Sequence, residues 1–291
     1  MIIIADNMEE SVVSAIEELG PVEYKPSNLE ESIKNADALV VRSATKVTRE
    51  LISKAGKLKI VIRAGVGTDN IDKEACKEKG IKVMNTPAAS SNAVAELALG
   101  LIITGLRNVQ KGHYQMKNGE WRKKELVGNE IEGKTLGIIG YGRIGSLLGK
   151  KARALGMETI AYNPPPRHDD GKIVFIEDLD EFLAQSDVIS LHVPLTDETR
   201  NMINKDTIAK MKDGAFIVNT ARGGIIDEDA LYEGCKTKLK GAALDVYGKE
   251  PYQGKLLELD NVCFTPHIAA STKEAQIRIG KEVVRILKEE L

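Results

Sequence analysis

Gly140, Gly142 and Gly145 stand at the spacing G-x-G-x-x-G, with Tyr141, Arg143 and Ile144 between them. The spacing alone is common. Here an apolar run, Thr135-Leu136-Gly137-Ile138-Ile139, leads into it, and a stretch carrying Leu147, Leu148, Ala152 and Leu155 at helical spacing leaves it. A strand, a glycine turn and a helix in that order form a cradle for the pyrophosphate of a dinucleotide. Gly140 permits the tight turn, Gly142 lets a phosphate approach the backbone, and Gly145 lets helix and strand pack closely. The unpaired N–H groups of the first helical turn then face the anion. The acid expected about 20 residues further on, which would hold the ribose hydroxyls, is missing. The second strand, Glu158–Ala161, is followed by Asn163 instead. An amide can bond a ribose but has no charge to repel a 2′-phosphate, and Arg167 and His168 follow closely enough to attract one. On these residues both NAD and NADP stay open.

The elements that must carry this loop are visible on either side of it. In the first third, Ile2–Ile4, Ala38–Val41, Lys59–Ile62 and Lys82–Met84 are expected as strands. Met8–Leu19, Leu29–Asn35, Thr48–Ala55 and Lys73–Lys79 are expected as helices between them, with Ser27 and Thr48 as capping signals. Strand and helix in alternation predict an α/β chain with parallel sheets covered on both faces. After Thr86-Pro87 a long apolar helix, Ser91 to Arg107, reads as a crossover between two domains. A polar segment with Trp121, Arg122, Lys123 and Lys124 follows, and a second α/β series starts at Lys134. Its expected strands are Thr135–Ile139, Glu158–Ala161, Val188–Leu191, Ala215–Asn219 and Ala242–Asp245. The last segment, Ser271–Leu291, places Ala275, Ile279, Val283, Ile286 and Leu287 on one helical stripe that suits a return to the first domain.

Composition narrows the class. Of 291 residues, 42% are hydrophobic and 29% charged, and 41 basic against 43 acidic side chains leave a formal charge of −2. That balance gives no reason to expect nucleic acid or an anionic membrane as partner. No apolar run approaches the roughly 20 residues needed to span a bilayer. The N-terminus has no basic leader and reaches Asp6 at once, so no signal peptide is expected. Cys76, Cys235 and Cys263 are too few and scattered for a disulfide framework or a metal site, which fits a reducing cytoplasm.

Several blocks, spread over nearly the whole chain, resemble the D-isomer-specific 2-hydroxyacid dehydrogenases, and within them the D-3-phosphoglycerate dehydrogenases. Val41-Arg42-Ser43-Ala44-Thr45-Lys46-Val47-Thr48 and Arg63-Ala64-Gly65-Val66-Gly67-Thr68-Asp69-Asn70-Ile71-Asp72 are similar to the two substrate loops of that subgroup. Asn219-Thr220-Ala221-Arg222-Gly223-Gly224 and Pro266-His267-Ile268-Ala269-Ala270-Ser271-Thr272 are similar to its catalytic signatures. The resemblance implies two Rossmann-like domains: a flavodoxin-like substrate domain, 1–90 plus 271–291, and an inserted dinucleotide-binding domain with a dimerisation segment, 91–270. It also implies a homodimer, NAD as the usual cofactor, a small phosphorylated 2-hydroxy acid as substrate, and a place at the entry to serine synthesis. Longer members carry a C-terminal regulatory domain that binds serine, so regulation by that route is not expected here. Asn163 and Ala269 depart from the family's usual acid and glycine.

The residue roles follow from the resemblance, and the residue types suit them. His267 is the expected base, since a neutral imidazole can take the hydroxyl proton and return it. Glu250 is the expected acid that orients it, and Arg222, just beyond a strand, the fork for the carboxylate and C2 oxygen. Arg42, Ser43, Arg63, Ala64 and Gly65 are expected at the substrate, with Arg42 and Arg63 on the phosphate and the main-chain N–H groups of Ala64–Val66 on the carboxylate. The cofactor is expected to meet Val66, Gly140, Gly142, Arg143, Ile144, Gly145, Asn163, Val193, Pro194, Thr220, Ala221, Asp245, Ala269 and Ala270. His192 is expected to be structural. Arg122, Lys123 and Lys124 either reach a partner subunit's substrate or form a solvated face. Two other readings stand beside this one. The first is a glyoxylate or hydroxypyruvate reductase, or another D-2-hydroxyacid dehydrogenase, using NADP through Arg167. The second is a nucleotide-sensing corepressor on the same fold, for which no residue marks a peptide-binding surface.

Overall fold

The structure, a computed structural model, describes residues 1–163 and 170–291. The expectations placed on Arg167 and His168 lie outside the described residues. The chain divides into two compact units, Met1–Ala93 with Ala270–Leu291, and Val94–Ala269. One break falls in the first turn of a helix, three residues beyond the expected boundary.

The first unit holds β1 (Ile2–Ile4), β2 (Val22–Tyr24), β3 (Ala38–Val41), β4 (Ile60–Arg63) and β5 (Lys82–Asn85). All pairs are parallel, and the order is β2-β1-β3-β4-β5. This is the flavodoxin-like winding, whose order reverses between β1 and β3. Helices α1 (Glu10–Glu17), α2 (Leu29–Ser32), α3 (Arg49–Lys54) and α4 (Lys73–Glu78) connect the strands, and α5 (Ser91–Leu106) leaves them. Successive strand residues point to opposite faces. Ile3, Leu39 and Val61 therefore pack with Ile33, Leu51, Ile52 and Ile71 on one side. Ile2, Ile4, Val40, Ile60 and Ile62 pack with Val12, Ile16 and the closing helix on the other. That closing helix, Lys273–Glu290, is capped by the Thr272 side chain and buries the expected stripe Ala275, Ile279, Val283, Ile286 and Leu287.

The second unit contains α6 (Val109–Lys117), then β6 (Thr135–Ile139), α7 (Arg143–Ala154), β7 (Glu158–Tyr162), β8 (Val174–Phe175), α8 (Leu179–Gln185) and β9 (Val188–Leu191). It continues with α9 (Lys205–Lys210), β10 (Phe216–Asn219), α10 (Glu228–Thr237), β11 (Gly241–Leu244) and β12 (Val262–Phe264), which brings the closing helix to α11. Its parallel sheet runs β12-β11-β10-β9-β6-β7-β8, so the reversal lies between β6 and β9. No helix among the described residues is long and apolar enough to cross a membrane.

Some expectations are corrected. The N-cap of α2 is Asn28, whose Oδ1 accepts from Glu31 N at 3.2 Å, rather than Ser27. Helix α1 is shorter than Met8–Leu19, and Leu29–Asn35 divides into α2 and a 3-10 turn at Ile33–Asn35. The edge strands β2 and β12 and the two-residue edge strand β8 were not among the expected strands, being too short for alternation to register.

Candidate active site

In the second unit the glycine turn sits where the sheet order reverses, the place where open α/β sheets bind ligands. Gly140 has φ +93°, and a Cβ there would stand 2.7 Å from the His192 carbonyl oxygen that follows β9. A Cβ at Gly145 would meet the Gly140 oxygen at 2.4 Å, so any side chain would separate α7 from the turn. Gly142 differs from both: among the described residues nothing lies within 4 Å of where its Cβ would point. It is the N-cap of α7 and supplies no side chain to the first-turn N–H groups. This open cradle fits a dinucleotide pyrophosphate. Asn163 directly follows β7, where the ribose acid would stand, and its Oδ1 accepts from Tyr141 N at 2.9 Å, tying the strand end to the glycine turn.

His192 Nε2 lies 2.8 Å from Ser190 Oγ, while its buried Nδ1 has no hydrogen-bond partner among the described residues. Burial pushes its pKa down to about 4, so the ring is neutral near pH 7.

Three loops at the carboxyl ends of β10, β11 and β12 bring the expected catalytic groups onto one unit. Asn219, buried at the end of β10, accepts from Ala221 N at 3.0 Å and donates to Arg222 O at 2.9 Å, which shapes the turn Thr220–Arg222. The Arg222 guanidinium donates to Ala221 O at 2.6 Å. Asp245 follows β11 and has no exposed surface. Its Oδ1 accepts from Thr265 Oγ1 at 2.6 Å and Ile268 N at 2.8 Å, and its Oδ2 from Ala269 N at 2.9 Å. A carboxylate bonded by three donors fixes the segment on both sides of His267. Expected at the nicotinamide, Asp245 is observed holding the histidine loop.

His267 itself has φ +54°, the left-handed region that costs a side-chain-bearing residue about 1–3 kcal/mol where it is held. Its Nδ1 lies 2.9 Å from Glu250 Oε2 and 3.1 Å from Oε1. Glu250 also accepts from Tyr247 N at 3.2 Å, and the Tyr247 hydroxyl reaches Leu244 O at 2.9 Å and Thr265 O at 2.8 Å. The two side chains stay 48% and 39% exposed, so the pair contributes little to stability yet is open to a ligand. Beside them is a cavity of about 550 Å³ lined by Pro251, Leu257, Pro266 and the rings of Tyr247, Tyr252 and Phe264. Tyr247 and Tyr252 are stacked with centroids 4.6 Å apart.

In the first unit, the turn Arg42–Thr45 leaves β3, with Ser43 and Ala44 exposed. The Arg42 guanidinium donates to Asn7 O at 3.1 Å, at the mouth of a polar cavity of about 480 Å³. Arg63 ends β4, and its Nη1 donates to Ala64 O at 3.3 Å, so the side chain lies back along its own loop. The amide expected of Ala64 is corrected: it donates to Val41 O at 2.8 Å, because it extends the β3–β4 ladder by one residue. Gly65 N likewise donates to Arg63 O at 2.8 Å. Around the turn stand Asp6, which was not expected at the site, and Thr45 and Asn70, which lie in the two expected loops but were given no role of their own. Their bonds link positions 25 to 39 apart in sequence, so no local pattern marks them. Arg122 pairs locally with Glu120 at 2.6 Å and is half-exposed.

Comparison with known proteins places the chain in a family. Residues 99–269 match the family described as D-isomer specific 2-hydroxyacid dehydrogenase, NAD binding domain. A hydroxypyruvate reductase of Thermotoga maritima is 53% identical over 264 residues, 89% of this chain and 86% of its own. A D-3-phosphoglycerate dehydrogenase of Methanocaldococcus jannaschii is 49% identical across 100% of this chain and 57% of its own. The chain thus spans about half the length of the curated D-3-phosphoglycerate dehydrogenases it matches. Among solved structures, D-lactate dehydrogenase from Aquifex aeolicus, complexed with NAD and lactic acid, superposes with a TM-score of 0.87. It is 35% identical, and the match covers 99% of this chain and 94% of that one. The chain belongs to the D-isomer-specific 2-hydroxyacid dehydrogenase family and carries its NAD-binding domain.

Proposed function

We propose that the protein interconverts D-3-phosphoglycerate and 3-phosphohydroxypyruvate with NAD, at the entry to L-serine synthesis. The observation that carries the chemistry is the Glu250–His267 pair, on the loops after β11 and β12, in the same sheet as β10, whose following loop carries Arg222. The Nδ1 contact with Glu250 directs the lone pair of a neutral His267 to Nε2. Nε2 takes the C2 hydroxyl proton as C2 gives up its hydrogen with the bonding pair, and the C2 oxygen becomes a carbonyl. When bound, the nicotinamide supplies the hydride acceptor. Glu250 offsets the charge that His267 acquires, and the planar fork of Arg222 holds the carboxylate and the C2 oxygen. Gly140, Gly142 and Gly145, with Arg143, Ile144 and Asn163, hold the pyrophosphate and ribose. Val66, Val193, Pro194, Thr220, Ala221, Ala269 and Ala270 line the rest of the cofactor.

Arg42 and Arg63, at the carboxyl ends of β3 and β4, support the phosphorylated substrate, with Ser43 beside them. The second reading, an unphosphorylated hydroxypyruvate, is supported by the 53% identity to the Thermotoga reductase. The ratio of kcat/KM for phosphohydroxypyruvate to that for hydroxypyruvate separates the two. A wild-type ratio well above one that collapses in Arg42→Ala supports phosphate recognition; a ratio below one in the wild type supports the second reading. We further propose a cytoplasmic homodimer formed through residues 109–127, where Val109, Tyr114, Met116, Trp121 and Val127 expose apolar surface.

A further inference from the structure

The turn Arg42–Thr45 has little apolar contact to hold it: Ser43, Ala44 and Lys46 are exposed, and Val47 is the first buried residue beyond it. Its polar backbone is gripped from two sides instead. Asp6, nearly buried just past the end of β1, accepts from Arg42 N and from Thr45 N at 3.3 Å through one oxygen, and from Thr45 Oγ1 at 2.8 Å through the other. From the opposite loop, Asn70 Nδ2 donates to Arg42 O at 2.7 Å and Thr45 O at 2.6 Å. The Asn70 backbone is itself docked, its carbonyl accepting from Val47 N at 2.8 Å. A carboxylate takes the donors of the turn and an amide N–H takes its acceptors, so the carboxylate cannot do the amide's work. The position is also informative. β1 and β3 flank the point where this sheet reverses its order, the crevice where such sheets bind ligands. Burying a polar side chain there costs free energy that its hydrogen bonds offset.

We propose that Asp6 and Asn70 are positioning residues that hold the Arg42–Thr45 turn in the one conformation that binds substrate. The inference rests on the reading that this turn meets the substrate. Releasing the turn divides the protein among many conformations, and apparent affinity falls by the fraction that remains competent. The groups proposed for the chemistry, Arg222, Glu250 and His267, are left unaltered by these substitutions.

The test is steady-state kinetics of Asp6→Ala, Asp6→Asn, Asn70→Ala and Thr45→Val, read on both phosphohydroxypyruvate and hydroxypyruvate. For whichever substrate the wild type prefers, Asp6→Ala and Asn70→Ala are expected to raise KM about tenfold or more, with kcat within about twofold and the KM for cofactor unchanged. Asp6→Asn keeps one acceptor oxygen and is expected between Asp6→Ala and wild type. The double variant is expected to raise KM by less than the product of the single effects, because both release the same turn. Should Asp6→Ala fail to fold, Thr45→Val and Asn70→Ala carry the same test. A wild-type preference for hydroxypyruvate would overturn the substrate assignment and leave the clamp to be read on that substrate. Wild-type KM in the single variants, or kcat and cofactor KM changing along with substrate KM, would overturn the clamp itself.

Discussion

The Nδ1 atom of His267 lies 2.9 Å from one oxygen of Glu250 and 3.1 Å from the other, while its backbone is held at φ +54°. The ring is thereby oriented by a carboxylate, and the loop beneath it by another, since Asp245 accepts from Thr265, Ile268 and Ala269. Two acids therefore act on one imidazole by different routes. Glu250 bonds the ring, and Asp245 holds the backbone that presents it.

Glu250→Gln keeps the shape of the side chain and removes the charge that stabilises a protonated His267. By analogy with other carboxylate–histidine pairs, kcat is expected to fall by about two to four orders of magnitude, with unchanged circular dichroism and melting temperature. A kcat within threefold of wild type would remove Glu250 from the mechanism.

Gly142→Ala and Gly145→Ala are expected to fail in different ways. A methyl at 142 meets nothing within 4 Å among the described residues, so the fold is expected to tolerate it, but it would occupy the space a pyrophosphate needs. The melting temperature should hold while the dissociation constant for NAD, measured by titration of intrinsic fluorescence, rises. A methyl at 145 stands 2.4 Å from a backbone oxygen, and the variant should melt at lower temperature. Equal loss of stability in the two variants would contradict this account of the turn.

Asn163→Asp preserves an oxygen for Tyr141 N, so the glycine turn should stay tied to its strand. It adds the charge that repels a 2′-phosphate. The ratio of kcat/KM for NAD to that for NADP is expected to increase about tenfold or more, mainly through loss of NADP activity. An unchanged ratio would mean that Asn163 does not face the ribose.

His192 has a folded-state pKa of about 4, below its ordinary value of 6.5, because burial disfavours the charged ring. Between those values the unfolded chain binds more protons than the folded one, so stability falls as pH falls. The contribution, at most about 3 kcal/mol, is present above pH 6.5 and lost as pH drops through 4. Urea midpoints measured from pH 7 to pH 4 should decline less steeply in His192→Asn than in the wild type. Parallel curves would show that this histidine is not what makes the fold acid-sensitive.

The central strands were legible because β-branched runs such as Ile2–Ile4 and Ala38–Val41 are buried on both faces and need no partner to be recognised. The glycine turn was legible for a similar reason, since its spacing and its flanking strand and helix are all local. The edge strands β2 and β8, three and two residues long, leave too little pattern to read. Less legible still were contacts made across the chain. Asp6 lies 36 residues from Arg42 and 39 from Thr45, and nothing near it in sequence announces that it receives their N–H and O–H groups. The Ala64 amide was misread because its bond to Val41 depends on the register of β3 against β4.

The most direct test of the proposed activity is the initial rate of reduced-cofactor formation from D-3-phosphoglycerate and NAD, with the 2-oxo product trapped by a hydrazine. Wild-type protein is expected to turn over, and His267→Ala to be slower by orders of magnitude while keeping its fold. Absence of turnover in the wild type, or equal rates in the two proteins, would contradict the account.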